Sequence, residues 1–133
     1  MKLIIYTDGG ARGNPGPSGI GAVIYDEKKV VVAEVSEFIG KATNNQAEYK
    51  AVIAALVKAK EIGGEELEFY LDSELVVKQL KREYKVKNQE LAPLFLKIYN
   101  LSMGFKKISF KHVPREMNKE ADALANKAMH QGE

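Results

Sequence analysis

The chain has 133 residues, a formal net charge of +2, 45% hydrophobic residues and 29% charged residues. This composition is typical of an ordinary globular domain, and the absence of cysteine excludes disulfides, thiolate chemistry and cysteine-ligated metals. No apolar run approaches the roughly 18–20 residues that a membrane helix needs, and the apolar stretch near the N-terminus is too short for a signal peptide. We therefore expect one domain over residues 1–133, cytoplasmic, with no membrane association.

Three strand-like segments open the chain. Residues 2–8 (KLIIYTD) alternate in side-chain polarity and are rich in β-forming residues. This first strand is expected to end on Asp8. Residues 19–27 and 30–40 follow, separated by two lysines. Such closely spaced segments predict an antiparallel meander of three strands.

In the middle of the chain the spacing of apolar residues changes from that of a strand to that of a helix. Residues 43–64 begin with cap residues, continue with strong helix formers and end on two glycines, which predicts a long helix. A strand over residues 66–72 and a short helix over residues 73–84, capped by Asp72 or Ser73, are expected next.

The last third predicts a helix, a strand and a helix. Residues 88–104 are helical in pattern, with Pro93 acceptable only near the first turn. Residues 105–113 read as a fifth strand and residues 118–131 as a closing helix. The order β-β-β-α-β-α-α-β-α implies an α/β fold in which helices flank a five-stranded mixed sheet.

Four acidic residues fall at predicted element ends. Asp8 and Asp72 close strands, Glu48 lies in the first turn of the long helix, and Asp122 lies in the first turns of the last helix. Each has an ordinary structural explanation: a turn, an N-cap or compensation of a helix dipole. Taken singly, these explanations are preferred.

Two of these acids begin apolar stripes. Glu48 shares its helix face with Ala51, Val52 and Ala55, and Asp122 shares its face with Ala125 and Met129. A carboxylate facing a core needs a partner, either a lysine or a cation. Several acids at neighbouring element ends suit Mg²⁺, with Mn²⁺ as the alternative, whereas two histidines and no cysteine make zinc the weaker candidate.

Two segments next to these acids carry polar groups. The glycine-rich stretch over residues 9–21 lacks the ending of a P-loop and leads into a strand, so it predicts a hairpin connection whose glycines let another backbone approach. Asn14 lies in it. Thr43, Asn44, Asn45 and Gln46 precede Glu48, where they can cap the helix or pair with sugar hydroxyls and base edges.

A basic run covers residues 78–87, with five cations and one acid. In isolation it is best explained as the solvated face of a helix. It also has the composition of a patch that follows a phosphate backbone.

The motifs TDGGARGNPGPSGIGAVI, TNNQAE, LDS and NKEADALA, in this order, closely resemble those of the type 1 ribonuclease H family. The likeness extends from Lys2 to Ala128. It implies the ribonuclease H-like fold, two Mg²⁺ ions per site, and cleavage of the RNA strand of RNA/DNA hybrids to 5′-phosphate and 3′-hydroxyl ends. The catalytic and metal-binding carboxylates carried over by the resemblance are Asp8, Glu48, Asp72 and Asp122.

The resemblance also implies substrate contacts. Asn14, Asn44 and Asn45, with Gln46 beside them, fall where the family reads the minor groove of the hybrid. Lys87 falls where the family contacts the DNA strand. The implied partner is an RNA/DNA hybrid, and we expect a monomer with no obligate protein partner.

The chain departs from the family pattern in three ways. About fifteen residues separate Asp72 from Asn88, so the basic handle of some members is missing and the run over residues 78–87 is its partial substitute. No separate hybrid-binding domain is expected in this chain. The loop over residues 113–118 lacks the mobile histidine of many members; His112 belongs to the fifth strand, and Arg115 is the candidate substitute.

Other functions remain open from sequence alone. Junction resolvases, transposases and integrases share this architecture and acid cluster, although the asparagines near Asp8 favour a hybrid substrate. An inactive nucleic-acid-binding module would keep the same fold. A small-molecule enzyme of another α/β fold has no positive signal in the sequence.

Overall fold

The computed structural model describes residues 1–132. The order of elements agrees with the prediction, with one short 3₁₀ turn added before the last helix. The elements are β1 (Lys2–Ala11), β2 (Gly16–Tyr25), β3 (Val31–Ala42), α1 (Asn44–Glu61), β4 (Glu66–Leu71), α2 (Glu74–Leu80), α3 (Ala92–Ser102), β5 (Lys107–His112), the 3₁₀ turn Arg115–Met117 and α4 (Lys119–Gln131).

The five strands form one mixed sheet in the order β3-β2-β1-β4-β5. The meander β1–β2–β3 is antiparallel, whereas β4 lies parallel to β1 and β5 parallel to β4. Tyr6 of β1 is level with Tyr70 of β4. The three parallel strands therefore present their carboxyl ends at one edge of the sheet, which is where open α/β sheets commonly place their sites.

Helices α1 and α4 lie on opposite faces of the sheet. Gly9 of β1 touches α1 and Gly21 of β2 touches α4, and the register pairs Gly21 with Asp8, the neighbour of Gly9. Because successive residues of a strand face opposite sides, the two helices cover opposite faces. The main core lies under α1, where Leu3, Ile5 and Phe69 are fully buried.

Several predicted boundaries are wrong. Strand β1 does not end on Asp8 but continues to Ala11, so only residues 12–15 connect it to β2. Glu48 is the fifth residue of α1 and lies beyond its first turn. Helix α2 ends at Leu80 rather than at residue 84, so most of the basic run is irregular backbone and not a helix face. Sheet pairing with β2 explains the first error, because it extends a strand through glycines that would otherwise favour a turn.

Helix starts follow the local sequence more closely. Thr43 caps α1 in a capping box with Gln46, and Ser73, rather than Asp72, caps α2. Pro93 lies in the first turn of α3, as predicted. Among residues 1–132, the helices are all too short or too polar to cross a bilayer.

Candidate active site

Asp8 and Glu48 meet because β1 and α1 are in unusually close contact. A Cβ atom at Gly9 would lie 2.4 Å from the carbonyl oxygen of Ala47, so only glycine allows this approach. The Gly9 N–H donates to Oε1 of Glu48 at 3.4 Å. Both carboxylates are buried, with 6% of Asp8 and 7% of Glu48 exposed.

Asp72 joins them from the neighbouring parallel strand. It follows Leu71, the last residue of β4, and so continues beside Asp8 from the Tyr6–Tyr70 pair. One carboxylate oxygen from each of Asp8, Glu48 and Asp72 lies within 4.8 Å of the others.

Asp122 reaches the same cleft from the opposite face of the sheet. A Cβ atom at Gly21, the residue paired with Asp8, would lie 2.3 Å from the carbonyl oxygen of Ala121. Glycine at this position therefore lets α4 pack against β2 and brings Asp122 to the edge of the sheet. Asn126, one turn further along α4, donates to Oδ2 of Asp122 at 3.2 Å.

These two glycines show which backbones the glycine-rich segment accommodates. Gly9 and Gly21 make room for the backbones of the protein's own helices α1 and α4. Gly13, with φ of +75°, serves the turn between β1 and β2. The segment is glycine-rich mainly because two helices must come close to Asp8.

Burial raises the pKa of two carboxyls of the cluster, Asp8 and Glu48. Burial, followed by hydrogen bonding with the Asp122 carboxyl, raises the pKa of Asp8 to about 7. Burial and the charge of Asp8 raise the pKa of Glu48 well above its ordinary value. Ionised Asp8 and Glu48 therefore destabilise the folded protein, and a bound cation would offset this destabilisation.

The donor set fits a hard divalent cation. All of the clustered side chains offer carboxylate oxygen, which Mg²⁺ and Mn²⁺ accept. Oε2 of Glu48 is buried and has no hydrogen-bond partner in the described chain, so a lone pair is left for a ligand. The described residues around the cluster line a cleft of about 420 Å³.

Amide side chains border this cleft on the α1 side. Oδ1 of Asn44 accepts from the Ala11 N–H at 2.8 Å, and Oδ1 of Asn14 accepts from the Asn44 N–H at 3.0 Å. These bonds tie the β1–β2 turn to the start of α1 and leave the side-chain N–H groups of Asn14 and Asn44 as donors. Asn44 and Asn45 line the cleft, and Asn14 contacts it through Asn44.

The other predicted substrate residues have different positions. Gln46 is used inside the protein: Oε1 accepts from the Thr43 N–H and Nε2 donates to Glu90. Arg115 lies in the 3₁₀ turn before α4 and lines the cleft. Lys87 is exposed in the segment between α2 and α3 and is not part of the cleft wall.

Four polar residues of the site were not predicted. Arg12, Ser73 and Asn126 line the cleft, and Asn118 contacts Asp72. Asn126 could have been found from its spacing of four residues after Asp122 on one helix face. Asn118 has no such signal, because it looks like an ordinary helix start.

Comparison with known sequences identifies relatives over nearly the whole chain. Residues 6–128 match the family described as Reverse transcriptase-like. Bifunctional protein Rv2228c of Mycobacterium tuberculosis (strain H37Rv) is 45% identical over 97% of this chain, which spans 36% of that protein. Ribonuclease HI of Halobacterium salinarum is 45% identical over 96% of this chain, which spans 64% of that relative.

Solved structures agree with this assignment and with the predicted fold. RNase H1 from the halophilic archaeon Halobacterium salinarum has a TM-score of 0.96 at 43% identity and covers 98% of this chain and 99% of its own. LC11-RNase H1, solved in complex with an RNA/DNA hybrid, has a TM-score of 0.94 at 47% identity and covers 98% of both chains. With its strand order, its carboxylate cluster and these relatives, the chain belongs to the ribonuclease H family.

Proposed function

We propose that the chain is a single-domain endoribonuclease that hydrolyses the RNA strand of RNA/DNA hybrids, leaving 5′-phosphate and 3′-hydroxyl ends. The observation that best supports this proposal is the cluster of buried Asp8 and Glu48 with half-buried Asp72. Their ligand oxygens lie within 4.8 Å of one another, beside a row of amide donors. The hybrid bound to LC11-RNase H1, 47% identical, supports this substrate class.

The carboxylates Asp8, Glu48, Asp72 and Asp122 would hold two Mg²⁺ ions. When bound, these ions would supply a water of lowered pKa as nucleophile and would neutralise charge on the departing 3′ oxygen. Asp8 would be central among the ligands, because it hydrogen-bonds with both Glu48 and Asp122. Gly9 and Asn126 keep Glu48 and Asp122 in place by hydrogen bonding to one oxygen of each.

The amide donors would recognise the RNA strand. The free side-chain N–H groups of Asn14 and Asn44 can donate to ribose 2′-hydroxyls and to base acceptors in a minor groove. Their oxygens are already engaged with backbone, so the donors have restricted orientations. Deoxyribose lacks the 2′-hydroxyl acceptor, and this difference favours RNA on this side of the cleft.

The segment after α2 would hold the DNA strand. Lys78 and Lys81 form ion pairs with Glu74 and Glu83, at 3.3 and 3.2 Å. Lys87 is exposed and has no ion pair within residues 1–132, so its charge is available for a phosphate. We take Lys87 as the main DNA contact in place of the missing handle.

Arg115 is proposed as a phosphate contact at the cleft, in the position of the missing histidine. We further propose that the protein acts as a monomer without an obligate protein partner, in the cytoplasm.

One gel tests the proposal. A hybrid labelled on the RNA or the DNA strand is incubated with protein and Mg²⁺, with and without EDTA, beside the Asp8→Asn variant. We expect Mg²⁺-dependent cutting of the RNA strand alone and none by the variant. Faster cutting of duplex DNA or a four-way junction would indicate a resolvase-like enzyme, and binding without cutting would indicate an inactive module.

A further inference from the structure

Asn118 is a fully buried amide next to the carboxylate cluster. It precedes α4 and has an exposed fraction of 0%. Asparagine at a helix start usually turns its side-chain oxygen back to a backbone N–H of the first turn. Here the side chain makes no such bond, and its oxygen Oδ1 has no partner in the described chain. A cap role therefore does not explain the residue.

The side-chain N–H₂ group of Asn118 instead makes two bonds across the site. It donates to the backbone oxygen of Thr7 at 2.9 Å and to Oδ2 of Asp72 at 3.1 Å. Its own backbone oxygen accepts from the N–H of Asp122 at 3.1 Å. One residue thus connects β1 immediately before Asp8, the Asp72 carboxylate, and the turn of α4 that carries Asp122.

We propose that Asn118 is a positioning residue that orients the Asp72 carboxylate for metal binding. Because this bond engages Oδ2 of Asp72, the other oxygen, Oδ1, stays available for a metal ion. An amide suits this role because it donates two hydrogen bonds and adds no charge to an anionic cluster. Partners of this kind around metal ligands commonly contribute 10–100-fold to metal affinity or activity.

The test compares Asn118→Ala and Asn118→Ser with Asn100→Ala, a control in an exposed part of α3. Serine is too short to reach both acceptors but is a favourable residue at a helix start, so the second variant preserves α4. Mn²⁺ binding to the protein without substrate is measured by titration calorimetry. The melting midpoint in EDTA, kcat and KM for hybrid are measured in parallel.

We expect both variants at position 118 to bind Mn²⁺ about 10–100-fold more weakly and to lose kcat to a similar extent, with KM changed by less than about threefold. Wild-type Mn²⁺ affinity in a folded variant would overturn the proposal, as would loss of the folded state in both variants. This inference rests on the proposed function for its kinetic part only. A wild-type chain that does not cut hybrids would refute that function, while the Mn²⁺ titration would still decide the role of Asn118.

Discussion

The substitution Asp8→Asn should make the metal-free protein more stable while abolishing its activity. Asp8 is buried beside Glu48 and Asp122, and the pKa of its carboxyl is raised to about 7. At pH 8 the folded protein must therefore keep an unfavourable charge that the unfolded chain exposes to water. Asparagine has the same shape and no charge, so it removes this destabilisation together with the proposed central metal ligand.

The raised pKa sets the size of the effect. Displacement of the pKa of Asp8 from 3.8 to about 7 corresponds to roughly 4 kcal/mol at about 1.4 kcal/mol per pH unit. The cleft is open to solvent, which screens the charges, so we expect the variant to gain about 2 kcal/mol at pH 8. For a chain of this size that is a rise of roughly 6–10 °C in Tm.

The effect has a defined pH dependence. Because the pKa of Asp8 is higher in the folded protein, folding takes up a proton between about pH 7 and pH 4, and wild-type stability rises as the pH falls through this range. The advantage of Asp8→Asn is therefore full above about pH 7, less than half as large at pH 5, and absent below about pH 4.

Thermal melts in EDTA at pH 8 and pH 5 measure both quantities, with Asn100→Ala as the control. Repetition in several millimolar Mg²⁺ should raise the Tm of the wild type but not that of Asp8→Asn, because only the wild type gains from binding. A variant less stable than the wild type at pH 8 in EDTA would refute the reasoning. So would a stability difference that does not change with pH.

Three further predictions test the substrate contacts and the packing. Lys87→Ala should weaken hybrid binding about 3–10-fold with little change in kcat, and should reduce the salt dependence of binding by about one phosphate contact. Binding titrations over a series of salt concentrations measure both effects. A lower kcat at unchanged affinity would show that Lys87 does not serve as a remote phosphate contact. Hybrids with one to six consecutive ribonucleotides should be cut poorly at one and well at four or more, because the proposed donors of Asn14 and Asn44 would engage successive sugars. Rapid cutting at a lone ribonucleotide would contradict this. Gly21→Ala should lower the free energy of unfolding by about 1–3 kcal/mol and the cleavage rate at least tenfold, because the added Cβ would displace α4. The control Gly104→Ala, whose Cβ would make only ordinary contacts, should be neutral in melts and rate assays. A fully active Gly21→Ala would show that α4 adapts without moving Asp122.

Two of the four candidate carboxylates stand out in the sequence because their positions break a local rule. Glu48 and Asp122 begin apolar helix stripes, where a charge is costly, and this is visible from spacing alone. Asp8 and Asp72 have ordinary local explanations and joined them through the family resemblance. The element order followed from periodicity and from caps such as Thr43 and Ser73, which act through neighbours in sequence. The family motifs then connected these local features to one architecture.

Local patterns were less informative wherever a distant backbone decides the conformation. Gly9 and Gly10 favour a turn by themselves, yet pairing with β2 makes them part of β1. The basic run has good helix formers, yet α2 ends at Leu80 and Arg82 has a φ of +64°. In the first case the missing information is the position of a partner strand.

Residue type and spacing alone indicate which side chains can carry the proposed chemistry, because they set charge, periodicity and helix starts. How those side chains meet depends on the folded chain. Gly21 and Gly9 allow α4 and α1 to pack closely against the sheet. Asn118 contacts β1 and Asp72 from more than 40 residues away in sequence. Such contacts depend on backbones from both faces of the sheet arriving at one edge, and no window of neighbouring residues contains that geometry.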